Sequence, residues 1–287
     1  MSNSSAPNSI QDENAALEQL RGLATNPVTD KCFREIEAVA GFKLIAGQRA
    51  AFLRFHAYIT RDPPPRYLAE LQSKGKRYEQ HVNGILGHTQ NALACVYYHL
   101  THLQQMEAKV EEIIASSGLP NLLGKSVTGG GNTLALDFEY QEFVLSVRRC
   151  LDYLTRGLAS YFKSDFHSFR RFGDFLENAT PADIASTLRG IHATHVDNFQ
   201  FVLSQSERRS TRDRISHYEF VPAGVVNISS RGFVLAGGGE NLSGHSSHPP
   251  RLADILRSHT MHLQQCVDDF LDTFVAASRD YEAKAKS

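Results

Sequence analysis

Within six consecutive positions the chain sets Arg212, Asp213 and His217, in the stretch TRDRISHY at 211–218. Arginine keeps a planar charged fork that suits phosphate, and histidine titrates near neutrality, so this residue set can bind and act on a phosphate ester. Arg208, Arg209, Arg214 and Arg231 gather around it, making a local positive patch in a chain whose net charge is only −1. The Arg-to-His spacing alone proves little, because Arg257 and His262 repeat it. In a continuous helix five positions rotate the second side chain by about 140°, so Arg257 and His262 cannot address one target. Arg212 differs in context: it follows Ser210-Thr211, which can cap a helix, and so stands where the backbone is only becoming regular.

Other candidates are weaker. Histidines three apart occur at His99/His102, His192/His195 and His259/His262, each pair on one helix face, but no Glu-x-x-His or HExxH accompanies them. Hydrogen-bonded or boundary histidines are expected there, and no metal. His245 and His248 form only a loop HxxH. Gly129-Gly130-Gly131 precedes a helix but follows no convincing strand and carries no phosphate-loop signature, so it reads as a linker and no cofactor is expected. Cys32, Cys95, Cys150 and Cys266 lie far apart without a CxxC pair, which predicts reduced cysteines in place of a disulfide framework.

The elements that position these residues are mostly helical. Apolar periodicity and breakers predict helices over about 13–24, 29–40, 46–59, 66–82, 85–117, 134–163, 180–205 and 250–280. Thr180-Pro181 reads as an N-cap with proline in the first helical position. Val225–Ile228 and Phe233–Leu235 are short β-type runs joined by SSRG. The expected fold is all-α: a long-helix bundle with a small β-hairpin inserted before the last helix, divided into a helical region 1–128 and a domain 129–287. HLTHLQQM at 99–106 and HTMHLQQC at 259–266 share His-x-x-His-Leu-Gln-Gln, too short an echo to establish duplication.

With 41% hydrophobic and 21% charged residues in 287, the chain can bury a proper core. Its apolar runs are short and its N-terminus lacks a secretory pattern, so a cytoplasmic protein without a membrane span is expected. The near-zero net charge removes any whole-molecule argument for nucleic acid, which must therefore be local.

Over roughly 132–280 the chain resembles the HEPN superfamily. The resemblance rests on Arg212-Asp213-x-x-x-His217, on the preceding helix LDFEYQEFVLSVRRCLDYLTRGL, on the connector HSFRRFGDFL and on the hairpin before the last helix. It implies a metal-independent endoribonuclease, of the kind found among toxins and defence effectors, with Arg and His of two protomers meeting in a homodimer cleft. Arg212 would then stabilise the phosphorane, His217 would serve as general base or acid, and Asp213 would position its neighbours. RNA would be the substrate and a 2′,3′-cyclic phosphate the product, and an antitoxin or regulatory protein would be a partner. The same resemblance also admits a noncatalytic RNA-binding or protein-interaction scaffold. Outside the family altogether, Arg212 would form a local cap or salt bridge and His217 would be a partly buried helix residue.

Overall fold

The computed structural model describes residues 27–61, 65–73, 75–118, 127–128, 132–203, 209–223, 225–229, 232–236 and 251–284. The helix expected at 13–24, Gly129–Gly131, His245 and His248 lie outside the described residues. The fold is all-α in character. The backbone divides into two compact units, Met1–Lys43 and Leu44–Ser287. The first contains α1 (Pro27–Ala40), an amphipathic helix with no buried residue.

In the second unit α2 (Ala46–Ile59) begins as the spacing predicts, with the Gln48 side chain accepting from the Ile45 amide at 2.9 Å. It turns Phe52, Phe55 and Tyr58 inward. The helix expected over 66–82 is instead two. α3 (Arg66–Gln72) ends at a turn where Gly75 takes φ +51°, a backbone region that glycine enters without a Cβ penalty. α4 (Lys76–Val82) then runs without a break through a π-helical stretch, Asn83–Thr89, into α5 (Gln90–Ser116). The expected interruption near residue 84 is thus a wide turn. Thr89 braces it by donating its hydroxyl to the Gly84 carbonyl at 2.6 Å.

That wide turn lies against α6 (Leu134–Tyr161). A Cβ on Gly84 would stand 2.8 Å from the Gly157 Cα, so two glycines allow the helices to touch backbone to backbone. Gly84→Ala is expected to destabilise the protein by about 1–3 kcal/mol, since the obstructing atom is main chain and cannot rotate away. Urea unfolding reads this directly, and an unchanged midpoint would reject the close approach.

The rest of the bundle is α7 (Phe172–Leu176), α8 (Ala182–His195) and α10 (Leu252–Lys284), with the short α9 (Thr211–His217) between the last two. α8 starts one residue later than Thr180 as N-cap suggests, with Pro181 at the N-cap and no side-chain cap bond, and gives way at His195 to a 3₁₀ turn, Val196–Phe199.

Helices on both sides of residue 128 share one core, in which Val96, Leu100 and Leu103 of α5, Phe143, Val147 and Leu154 of α6 and Leu263, Phe270 and Phe274 of α10 are buried. The echoed octapeptides face each other in it. Gln104, with its amide oxygen turned to Arg257, accepts at 3.0 and 3.2 Å, and Tyr97 donates to Gln264 at 3.2 Å. Residues 97 and 257, like 104 and 264, occupy equivalent places in the two copies, so the pair of contacts is pseudo-symmetric.

Candidate nucleic-acid interface

Ser210 caps α9 as its position predicts: its hydroxyl accepts from the Asp213 amide at 3.2 Å, and Ser210 and Thr211 are both buried. The capped turn holds Arg212 and Asp213 side by side, with Arg212 Nη1 donating to Asp213 Oδ1 at 2.7 Å. The pair is about a third exposed, so water screens its attraction and its value lies in orientation more than in energy. Arg212 Nε is buried and has no hydrogen-bond partner among the described residues.

α9 is clamped to α6 from both ends. Before it, the Arg212 amide donates to the Phe201 carbonyl at 3.4 Å and Arg148 Nη1 to the Val202 carbonyl at 3.3 Å. After it, the Gln141 amide donates to the Val221 carbonyl and the Ala223 amide donates to Asp137 at 2.7 Å. The motif is therefore mounted on the longest helix that precedes it.

Asp213 also lines an open cleft of about 520 Å³, together with Arg148, Ser168, Arg170, Arg171 and Asp174. Three arginines against two aspartates leave its lining net positive, and Arg212 is joined to it through Asp213. Local packing explains the two outward arginines. Phe169 and Phe172 are fully buried against Phe270, so the Arg170 and Arg171 side chains between them must leave for solvent. The turn is fixed from both sides: the Phe169 amide donates to Asp152 at 3.3 Å, and His192 Nε2–H donates to the Phe169 carbonyl at 2.8 Å. Burial pulls the His192 pKa down, against that bond, which favours this neutral donor. Arg170 and Arg171 form no ion pair among the described residues, whereas Arg148 is held by Asp152 at 2.8 Å.

The arginines expected around the motif are already engaged. Arg209 lies 3.9 Å over the Tyr218 ring, and Arg214 donates to Glu219 at 2.6 Å, which raises its pKa further. Arg208 and Arg231 lie outside the described residues. The cleft arginines were missed by spacing arguments, although Phe169-Arg-Arg-Phe172 shows the signal: two aromatics that bury themselves leave the basic pair between them outside.

His217 ends α9. It is exposed, with its ring edge-on to Tyr218 at 6.0 Å, so it is not the partly buried helix residue of the bland alternative. Arg212 and His217 now share one helix, and the five-residue rotation of about 140° applies to them as well. One copy of the chain does not bring the two onto one target. Beside them Tyr218, Phe220 and Phe138 are exposed, the last two in edge-to-face contact at 6.2 Å.

The other histidine pairs find partners within the bundle. His99 and His102 both face Glu139, His195 Nε2 meets Asp269 at 2.8 Å, and His259 stacks on Phe201 at 3.9 Å. Among the described residues no His/Cys/Asp/Glu group is arranged to hold a metal, and no helix is long and apolar enough to cross a membrane. Compared with known proteins, the chain matches no family model, no curated protein and no solved structure.

Proposed function

We propose that this chain acts on RNA as a HEPN-like, metal-independent endoribonuclease, with Arg212 and His217 of two copies meeting across a homodimer cleft. The observation that carries the reading is the Ser210-capped turn, which sets Asp213 in the cleft lined by Arg148, Arg170 and Arg171 and holds Arg212 hydrogen-bonded to it. Backbone phosphates sit along these arginines, and the exposed Tyr218, Phe220 and Phe138 offer faces for unstacked bases. Arg212, turned by Asp213, stabilises the phosphorane; His217 takes the proton of the 2′-hydroxyl or gives one to the departing 5′-oxygen. The helical phase between them is the reason a second copy is required. The finer fold reading, a hairpin inserted before the last helix of a HEPN-type domain at 129–287, belongs to the same proposal, as do cytoplasmic residence and an antitoxin or regulatory partner.

End-labelled single-stranded RNA incubated with the protein in EDTA tests this. The expected products end in 2′,3′-cyclic phosphate and 5′-hydroxyl. Dependence on Mg²⁺, or products with 3′-hydroxyl ends, would reject the mechanism.

A noncatalytic RNA-binding reading has its own support: among the described residues no hydrogen bond orients the His217 ring, whereas a working general base usually has an orienting partner. Both readings use the cleft. Arg170→Ala and Arg171→Ala are each expected to weaken RNA binding across sequences and to lower the slope of log K against log salt by about 1. A slope unchanged in the double variant would remove the cleft from the RNA path.

A further inference from the structure

Far from the Arg212 motif in sequence, α5 and α6 bring a thiol, an imidazole and a carboxylate together. Cys95 and His99 are four apart on α5 and share a face. His99 Nδ1 lies 2.5 Å from Glu139 Oε2 of α6, so the ring's other nitrogen is the one available to the Cys95 thiol, one helical turn earlier on α5. His102 Nδ1 approaches the second Glu139 oxygen at 3.4 Å. The Ser146 hydroxyl is 3.2 Å from the Cys95 sulfur, and Arg149, paired with Glu142 at 3.0 Å, adds positive charge on the same side. His99 and Glu139 are 13% and 21% exposed, so the pair is sheltered but not sealed.

The electrostatics follow from this geometry. The His99 hydrogen bond leads in holding the Cys95 thiol below its ordinary value; Ser146 and Arg149 act in the same direction and burial opposes them. Burial alone would lower the His99 pKa, but its bonds to Cys95 and Glu139 outweigh that and raise it. The sealed cysteines behave oppositely, since burial pushes both Cys150 and Cys266 up. Of the three enclosed cysteines, only Cys95 is thus shifted toward its ionised form.

We propose that Cys95 is a hydroperoxide-reactive thiol, with His99 as its proton donor and Glu139 as the residue that positions His99. The half-buried sulfur admits a small reagent, and hydrogen peroxide suits the set because its departing oxygen needs a proton. The thiolate sulfur attacks one peroxide oxygen, an S–O bond forms and the O–O bond breaks. The departing hydroxide takes a proton from the His99 imidazolium and leaves as water. Sulfur loses two electrons, the peroxide gains them, and Ser146 is placed to hydrogen-bond the sulfenic oxygen.

The test treats the full-length chain with hydrogen peroxide in the presence of dimedone and follows each cysteine by peptide mass spectrometry. Cys32, exposed on α1, is the accessible reference. Cys95 is expected to be labelled at least about tenfold faster than Cys32 at pH 7. His99→Gln and Glu139→Gln should each slow Cys95 by about tenfold, raise the pH midpoint of its alkylation by iodoacetamide by about one unit, and leave Cys32 unchanged. Labelling of Cys95 no faster than Cys32 overturns the proposal without any variant, and so does a wild-type rate in both folded variants.

Discussion

His217→Ala is expected to lower RNA cleavage by about 10²–10⁴-fold while leaving RNA binding close to wild type, because the imidazole moves protons and the cleft arginines hold the substrate. Arg212→Ala should fall at least as far, since it removes the cation that meets the phosphorane. The decisive measurement is the mixture. Arg212 and His217 stand on one short helix about 140° apart, so two inactive variants should complement each other: a mixed dimer presents arginine from one copy and histidine from the other. An equimolar mixture is therefore expected to regain cleavage that neither variant has alone. Failure of the mixture to recover, with dimers demonstrated, would place the chemistry inside a single copy and sink the shared-site model. Equal cleavage by wild type and His217→Ala would leave only the binding role.

The second large effect concerns acid. His81 is fully buried among Phe55, Tyr161 and Phe274, its ring 5.3–5.5 Å from each, and its Nδ1–H donates to the Gly157 carbonyl at 2.8 Å. Nε2 is buried without a hydrogen-bond partner among the described residues, so a proton there would find neither water nor an acceptor. Burial pushes the pKa down to about 4, with the Gly157 bond opposing. Because the folded value lies below the unfolded one, near 6.5, the neutral ring's contribution is complete above pH 6.5 and drains away as pH falls toward 4. The loss amounts to about 3 kcal/mol over that window. His192, whose pKa burial also lowers, adds in the same direction. Urea midpoints from pH 7.5 to 4.5 should fall accordingly, and His81→Phe, which keeps a ring but cannot titrate, should flatten the curve. Parallel decline in both proteins would assign the acid sensitivity elsewhere.

Sequence pattern carried the long elements well and their junctions poorly. α2 and α6 begin where their apolar spacing starts, because a stripe such as Tyr140, Phe143, Val147, Leu151 and Leu154 has only one face to bury. The continuity through Asn83 was misplaced because periodicity is blind to a turn that changes width without ending the helix, and the break at Gly75 because it rests on one positive-φ glycine within a stretch of helical spacing. At the candidate site the Arg212–Asp213 contact and the Ser210 cap were legible, since neighbours in sequence are neighbours in space. The cleft was not, because Arg148, Arg170 and Asp213 belong to three separate elements that only the packing of Phe169 and Phe172 brings together. Cys95, His99 and Glu139 were hidden similarly, the third member coming from another helix.

The π-helical stretch Asn83–Thr89 sets how tolerant this helix is of changes in its length. A wide turn inside an otherwise continuous helix absorbs surplus residues without rotating what lies beyond it out of register. His81 upstream and Leu93, Val96 and Leu100 downstream therefore keep their faces toward one core, although no single 3.6-residue count links them. Helix length and helix phase are uncoupled at this point, so a residue gained or lost here is absorbed locally.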